Sequence, residues 1–365
     1  MRPLGVGVVG CGNIAAPYAR SIAHHPELQL VAATDVAPQA LAAFVAEHGG
    51  TAHPDLPTLL ADPGVDVVLN LTSHAVHHPV SRAALQAGKH VFSEKPLALT
   101  SADAADLLDV ALAHGVRLAA APSLWLGPAM QTAWHEVARG RIGRTRVVYA
   151  NVDHGRIEAW HPAPSSFYEV GPVFDVAVYP IAQLAAQFGP VVEVRAIGDT
   201  VLPERRAKDG TRFPVRADDH VTAVLRHADG TLTRLECSFY VDAVTTVGEG
   251  IEFHGDEGSL FLKSWIAPRC ALWRHPRGGQ REDVDLIDPE GDTTPADRLK
   301  DVDFALGLVD LARAIAEGRP HRCSGELGAH VVDAVLAVQR AARDGVRVPV
   351  SSTFPPPAPI GWELS

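Results

Sequence analysis

LGVGVVGCGNIAA, residues 4–16, decides how the rest of the chain is read. Its first seven residues are a short apolar run bounded by glycine, which suits a strand covered on both faces. AAPYARSIAHH follows with helical spacing, and Pro17 lies in the first turn, where a missing N–H is tolerated. Between them stands Gly10-Cys11-Gly12-Asn13-Ile14-Ala15, a G-x-G-x-x-A turn. Gly10 permits the tight turn, Gly12 lets backbone approach a pyrophosphate, and small Ala15 lets the helix pack close. The amides around Asn13 and Ile14 then face the anion at a helix N-terminus. Taken alone, such a turn also suits a purely structural use. Its position at the head of a repeating series favours a dinucleotide.

That series continues with LQLVAATD as strand, PQALAAFVAEHG as helix, VDVVLNLT as strand, HPVSRAALQAG as helix, KHVF as strand, a helix after Thr100 and VRLAAAP as strand. Uniformly apolar strands alternating with helices predict an α/β fold, a doubly wound parallel Rossmann sheet over residues 1–122. Asp35 closes the second strand, 23 residues after Gly12. A carboxylate there accepts hydrogen bonds from the adenosine ribose diol and repels a 2′-phosphate, so NAD is favoured over NADP. The alternative for Asp35 is a helix cap before Pro38.

FSEKPLALT, residues 92–100, sets an acid and a base where the parallel sheet ends, and ligands of such sheets bind beyond the strands' carboxyl ends. Adjacent residues in extended chain point to opposite faces, so Glu94 and Lys95 do not satisfy each other and one needs another partner. Pro96 biases Lys95 toward extended geometry, and its own peptide bond is a candidate for cis. Thr100 and Asp103 form a cap for the next helix. Beside a nicotinamide, the Lys95 ammonium would stabilise the alkoxide that develops as hydride leaves carbon. The alternative is a pair of surface charges.

With 365 residues, 47% of them apolar and 21% charged, the chain can bury two sizeable cores. A formal charge of -11, with no Lys/Arg cluster interleaved with aromatics, argues against nucleic acid. Cys11, Cys237, Cys270 and Cys323 are far apart and suggest neither zinc nor disulfides, which suits a reducing cytoplasm. No basic leader and no run of eighteen apolar residues is present, so neither secretion nor a membrane span is expected.

Residues 123–350 change pattern. PAMQTAWHEVARGRIG reads as a helix, and TRVVYANVD, VVEVRAIGD, DHVTAVLRHADGTLTRLECSFYVDA and GIEFHGDEGSLFLKS read as antiparallel strands joined by glycine turns. In GPVFDVAVYPIAQLAAQFG, Asp175 and Tyr179 are i and i+4, one turn apart on one helical face. Tyrosine, with an unperturbed pKa near ~10, needs a nearby cation such as Lys95 to act as a base. The alternatives are a capping aspartate and a half-buried aromatic. His74 and His78 share a helix face, but no convergent carboxylate or cysteine set accompanies them, so no metal is expected. Glu249, Asp256 and Glu257 read as turn and surface charges. DFALGLVDLARAIAEG, stopped by Gly318, and the segment opened by Ser324 are packing helices. Residues 351–365, rich in proline, read as an extended surface tail.

VVGCGNIA together with LNLTSHAVHHPVSRAALQAGKHVFSEKPLA resembles the glucose-fructose oxidoreductase, inositol dehydrogenase and rhizopine-catabolism (Gfo/Idh/MocA) family, whose hallmark is Glu-Lys-Pro after the fifth strand. The resemblance spans almost the whole chain. It implies a C-terminal α+β domain with a large, open, mostly antiparallel sheet, whose outer face joins copies into a dimer or tetramer. It also implies an NAD(P)-dependent oxidoreductase acting on a sugar, polyol or related cyclic alcohol, with Glu94 and Lys95 beside the cofactor. In the family's Thr-Pro-Asn-x-x-His cofactor segment, Thr72 and His77 match while Ser73 and His74 depart. Tyr179 stands where most members carry the proton-accepting histidine. The Trp-His-Pro stretch implies that Trp160, His161 and Tyr168 line the substrate site, and an aromatic surface with polar tips suits a carbohydrate. His161 is also a rival general base, because histidine titrates near neutrality. Two other activities use the same scaffold: a glycosidase that oxidises, eliminates and re-reduces with retained NAD, and a non-catalytic dinucleotide sensor.

Overall fold

Every strand expected in the first third of the chain forms, and each pairs in parallel. In the computed structural model, residues 2–242, 250–287 and 302–361 are described. Strands β1 (Leu4–Val9), β2 (Leu28–Thr34), β3 (Thr51–Ala52), β4 (Val67–Asn70), β5 (His90–Ser93) and β6 (Leu118–Ala120) form one sheet in the order β3-β2-β1-β4-β5-β6. Helices α1 (Ala15–Ala23), α2 (Pro38–His48), α3 (Leu56–Ala61), α4 (His77–Gln86) and α5 (Ser101–His114) alternate with them. Val8, Val67, Val68, Leu69, Val91 and Phe92 are completely buried, which is why these strands read as continuous apolar runs. β3 has only two residues, both exposed, and α3 is six long, so neither left a periodic signal. The Thr100 hydroxyl accepts from Asp103 N at 3.1 Å, as the sequence predicts, and Gly115 closes α5 in the left-handed region.

The second part contains α6 (Pro128–Ala138), β7 (Thr145–Asp153), α7 (Phe167–Asp175), α8 (Val178–Phe188), β8 (Val191–Asp199), β9 (Glu204–Arg206), β10 (Arg212–Pro214), β11 (His220–His227), β12 (Leu232–Ser238), β13 (Gly250–Gly255), β14 (Gly258–Leu262), β15 (Leu272–Pro276) and β16 (Glu282–Asp283). Toward the C-terminus follow α9 (Leu306–Glu317), α10 (Gly325–Asp344) and β17 (Val348–Pro349). Nine strands form an open sheet in the order β16-β15-β14-β13-β7-β12-β11-β8-β17. It is mixed rather than wholly antiparallel, because β7 and β12 run parallel. That pairing joins strands separated by two helices and four strands, which no local turn signal reveals. One sheet face is apolar and buried, with Val148, Ala150, Ala223, Leu225, Leu235, Ile251 and Phe253 at 1% exposure or less. α8 covers it, setting Pro180, Ile181 and Leu184 against Leu225 and Leu235.

The chain divides into two compact units, Met1–Gly127 with Arg298–Val332, and Pro128–Asp297 with Asp333–Ser365. A single cut at 122/123 therefore does not describe it, because α9 returns to the first unit. Gly307 explains the return: a Cβ there would lie 2.5 Å from the Phe92 ring, so only glycine lets α9 approach β5 this closely. Phe304 then packs on Tyr18 at 5.4 Å. The proline-rich tail is extended, but it is docked rather than loose. Phe354 is buried, and Ile360 N donates to Gln131 Oε1 on α6 at 2.8 Å. Among the described residues, no helix is long and apolar enough to cross a membrane.

Candidate active site

The strand order of the first sheet reverses between β1 and β4, and both exits contribute to one turn. Gly10 N donates to Thr34 O at 2.9 Å, and Leu71 N donates to Val9 O at 2.8 Å. Gly10 has φ +97°, and a Cβ on it would stand 2.8 Å from Leu71 O, so backbone conformation and close approach both demand glycine. Gly12 differs: a Cβ there would meet nothing within 4 Å. Open space thus faces its backbone, no side chain caps the N-terminus of α1, and Ala15 is fully buried. This cradle fits a dinucleotide pyrophosphate. The Asp35 carboxylate accepts from Cys11 N at 2.6 Å and from Ala37 N at 2.7 Å. It therefore steadies the glycine turn and the approach to α2 together, with one lone pair of each oxygen still available. Burial and then the neighbouring Asp35 push the Cys11 thiol up to about 11, so it stays protonated at neutral pH.

Glu94 is held through both of its carboxylate oxygens. Glu94 Oε1 accepts from the Tyr18 hydroxyl of α1 at 2.8 Å, and Oε2 accepts from Lys95 N at 2.9 Å. Its carboxylate thus shapes the turn, with one lone pair of each oxygen still available. The Lys95–Pro96 peptide is cis. Lys95 itself is half-buried, two residues past β5.

His77 has another role than expected. Its ring is 1% exposed, with Nδ1 2.7 Å from Pro96 O and Nε2 3.0 Å from Thr72 O. Both nitrogens face backbone carbonyls, so the ring ties the β4 exit to the Glu-Lys-Pro turn instead of presenting a nitrogen to a solute. Fully buried Asn70 completes the tie: its amide donates to His77 O and Ser81 Oγ, and its carbonyl accepts from the Thr72 hydroxyl at 2.6 Å. His78 meets Asp106 at 2.8 Å, joined by Arg82.

In the second unit, Asp175 and Tyr179 do not share one continuous helix. α7 ends at Asp175 and α8 begins at Val178. The cause is Pro180, which lacks the N–H for a bond to Val176 O and whose ring would strike that carbonyl in an unbroken helix. Ala177 N instead reaches back to Pro172 O, and Tyr179 N donates to Val176 O. Between Gly171 and Ala186 only Asp175 and Tyr179 are more than marginally exposed.

Tyr179 ends a run of ring contacts. Its ring lies 5.3 Å from Trp265, Trp265 lies 6.0 Å from His154, and His154 lies 5.5 Å from Trp160. Trp160, 47% exposed, continues to His161 at 5.5 Å, and His161 to Phe167 at 4.8 Å. The structure thus joins three expected residues, Trp160, His161 and Tyr179, through two that sequence reasoning missed, His154 and Trp265. Neither stands in a motif; each follows a strand that looks ordinary. Tyr168 belongs elsewhere and is corrected: it is fully buried, and its hydroxyl donates to Glu158. Burial and then that carboxylate push its phenol far above the ordinary tyrosine range. Asp256 holds Arg146 through both oxygens at a hairpin turn, exposed Glu257 is next to it, and Glu249 lies outside the described residues.

A family model described as an oxidoreductase family with an NAD-binding Rossmann fold matches residues 4–121. A second, the GFO/IDH/MocA C-terminal domain, matches residues 130–261. The chain is 28% identical over 348 residues to 1,5-anhydro-D-fructose reductase of Ensifer adhaerens, covering 93% of this chain and 96% of that protein. It is 26% identical over 291 residues to levoglucosan dehydrogenase of Pseudarthrobacter phenanthrenivorans, covering 71% and 73%. The crystal structure of an oxidoreductase domain protein from Kribbella flavida superposes with a TM-score of 0.82 at 25% identity, covering 96% of this chain and all of that one.

Proposed function

The chain belongs to the Gfo/Idh/MocA family of NAD-binding oxidoreductases, and from that premise we propose that it moves hydride between NAD and a carbinol carbon of a cyclic sugar or polyol. The observation that carries the substrate class is the run of rings from Phe167 to Tyr179. Ring CH faces of a sugar pack on aromatics, while the histidine and tyrosine tips supply hydrogen bonds to its hydroxyls. The names of the two enzyme relatives, one a sugar reductase and one a sugar dehydrogenase, support the same class.

Backbone amides at Gly12, Asn13 and Ile14 would hold the pyrophosphate, Thr72 would line the nicotinamide end, and Asp35 would accept from the adenosine ribose. Val36, wholly exposed, and Ala37 follow Asp35 and offer no cation to a 2′-phosphate, which favours NAD over NADP. Bound NAD supplies the acceptor for the hydride. Lys95 donates a hydrogen bond to the reacting oxygen and stabilises its developing negative charge. Tyr179 takes the hydroxyl proton, so the carbinol loses one hydride and one proton and becomes a carbonyl. Asp175 orients a second hydroxyl, and Trp160 and His161 hold the far side of the ring. The test is a panel of levoglucosan and myo-inositol with NAD, and 1,5-anhydro-D-fructose with NADH, followed by nicotinamide absorbance. Turnover on one of them is expected. NADH binding without turnover on any cyclic alcohol would overturn the assignment in favour of a sensor, and cleavage of a nitrophenyl glycoside without free NADH would move it to a retained-NAD glycosidase.

Assembly belongs to the same proposal. On the sheet face opposite α8, the row Arg195, Val224, Arg234, Tyr149, Glu252, Phe261 and Trp273 crosses seven strands, and Ile197 is 80% exposed beside it. A sheet face that mixes exposed apolar and aromatic side chains with paired charges suits a second copy of the chain. Ile197→Lys with Val224→Lys should convert the dimer or tetramer to monomers in light scattering. A cytoplasmic location is likewise proposed, since none of the four cysteines is paired.

A further inference from the structure

β9 and β10 pair only with each other, outside both large sheets. This hairpin nevertheless carries a deeply buried cation. The Arg205 side chain has no exposed surface, with Nη1 2.9 Å from Glu158 Oε1 and Nη2 2.5 Å from Asp219 Oδ2, and the Asp219 side chain is buried as completely. Its guanidinium lies 5.0 Å from the Tyr168 ring centre, and the Tyr168 hydroxyl donates to the other oxygen of Glu158. Asp219 Oδ1 accepts from Val201 N at 2.7 Å. A single planar fork thus joins three segments, one before Trp160, one at the start of α7 and one at the start of β11.

Two further links run the same way. Lys208, in the hairpin turn, donates to Trp160 O at 3.3 Å. Arg216 N and Ala217 N, just past β10, donate to Tyr168 O at 3.0 and 3.2 Å. Gly171 must be glycine here, because at φ +75° a Cβ would sit 2.8 Å from Asp218 O.

We propose that the 204–214 hairpin is a brace for sugar recognition: Arg205 is a positioning residue that fixes Glu158, and through it the turn presenting Trp160 and His161, while its neighbours fix the first turn of α7, ahead of the kink at Gly171. The proposal rests on Trp160 and His161 facing substrate. A buried ion pair is no efficient stabiliser, but its directionality sets a unique geometry. Lysine keeps the charge and lacks the planar fork, so it cannot hold the two carboxylates in the same fixed geometry.

The experiment uses the full chain and the variants Arg205→Lys and Lys208→Met. KM and kcat are measured with whichever of levoglucosan, myo-inositol or 1,5-anhydro-D-fructose the wild type turns over. NADH affinity, and hydrogen exchange of peptides spanning 155–168 with 101–114 as internal reference, are measured alongside. Arg205→Lys should raise KM by about ten- to a hundredfold, since a small misplacement is enough for that, with NADH affinity unchanged. Exchange should rise in 155–168 and stay constant in 101–114. Lys208→Met should move KM the same way by about two- to threefold, the worth of one exposed hydrogen bond. Wild-type KM in Arg205→Lys, or exchange that rises equally in both peptides, would overturn the brace. If Arg205→Lys does not fold, Lys208→Met with Glu158→Gln decides by the same criteria. If no alcohol is turned over, the proposed function fails while the exchange measurement still decides the brace.

Discussion

The turns at Gly10 and Lys95 and the aromatic run ending at Tyr179 are built in opposite ways. In the first unit, these positions follow a strand end by one to six residues, and backbone geometry dictates the residue type: glycine at φ +97°, small Ala15 under α1, proline after Lys95. In the second unit, the rings come from separate segments around residues 154, 160, 179 and 265, and nothing local demands any of them. Local geometry leaves a motif, whereas contact between distant segments leaves none.

The comparison can be broken most directly at Lys95. Lys95→Ala should lower kcat by about a thousandfold, the scale of losing one preorganised donor to a developing oxyanion, with NADH affinity within about twofold of wild type. An equal loss of NADH binding would mean that this turn serves binding rather than chemistry. Tyr179→Phe should cost about a hundredfold in kcat, the usual scale for a general base, and flatten the acid-side, rising limb of the pH–rate profile. If His161→Gln costs as much while Tyr179→Phe is silent, the base lies in the loop instead. Gly10→Ala should destabilise the fold by about 1–3 kcal/mol in urea denaturation, from strain at positive φ and the clash with Leu71 O.

The smallest expected effect concerns pH. Burial holds the pKa values of His90, His227 and His321 below the ordinary histidine value. Their unfolded forms take up protons at about pH 6.5 while the folded forms resist, so stability is complete above about pH 7 and falls as pH drops through 6. Two of these histidines lie in the first unit and one in the second. The melting temperature should therefore decline between about pH 7 and 5.5, and His227→Gln should make that slope shallower. A flat melting temperature over this interval would show that the three rings gain no proton on unfolding.

Legibility followed the same division at the level of elements. β7 and β8 run over the residues their alternation marked, the Thr100 cap forms, and Gly318 stops α9 in the left-handed region. Trp160 and Tyr168 show the opposite case. Both stand in one aromatic loop, yet one is half exposed and the other fully buried against Glu158 and Arg205. Composition cannot separate them, because their difference is made by a hairpin some forty residues onward. The i and i+4 spacing of Asp175 and Tyr179 did not reveal the break between them, where Pro180 removes the bond that would have kept α7 and α8 one helix.

By itself, the order of residues determined the parallel sheet, the glycine cradle and the placing of Lys95 beyond β5, since strand period, φ and helix-end amides are properties of a few consecutive residues. Tertiary structure alone decided that Glu94 turns to Tyr18, that His77 ties two carbonyls, and that Arg205 lies buried beneath the aromatic run. Those outcomes depend on which distant group desolvates each polar atom, and that is settled only when the whole chain packs.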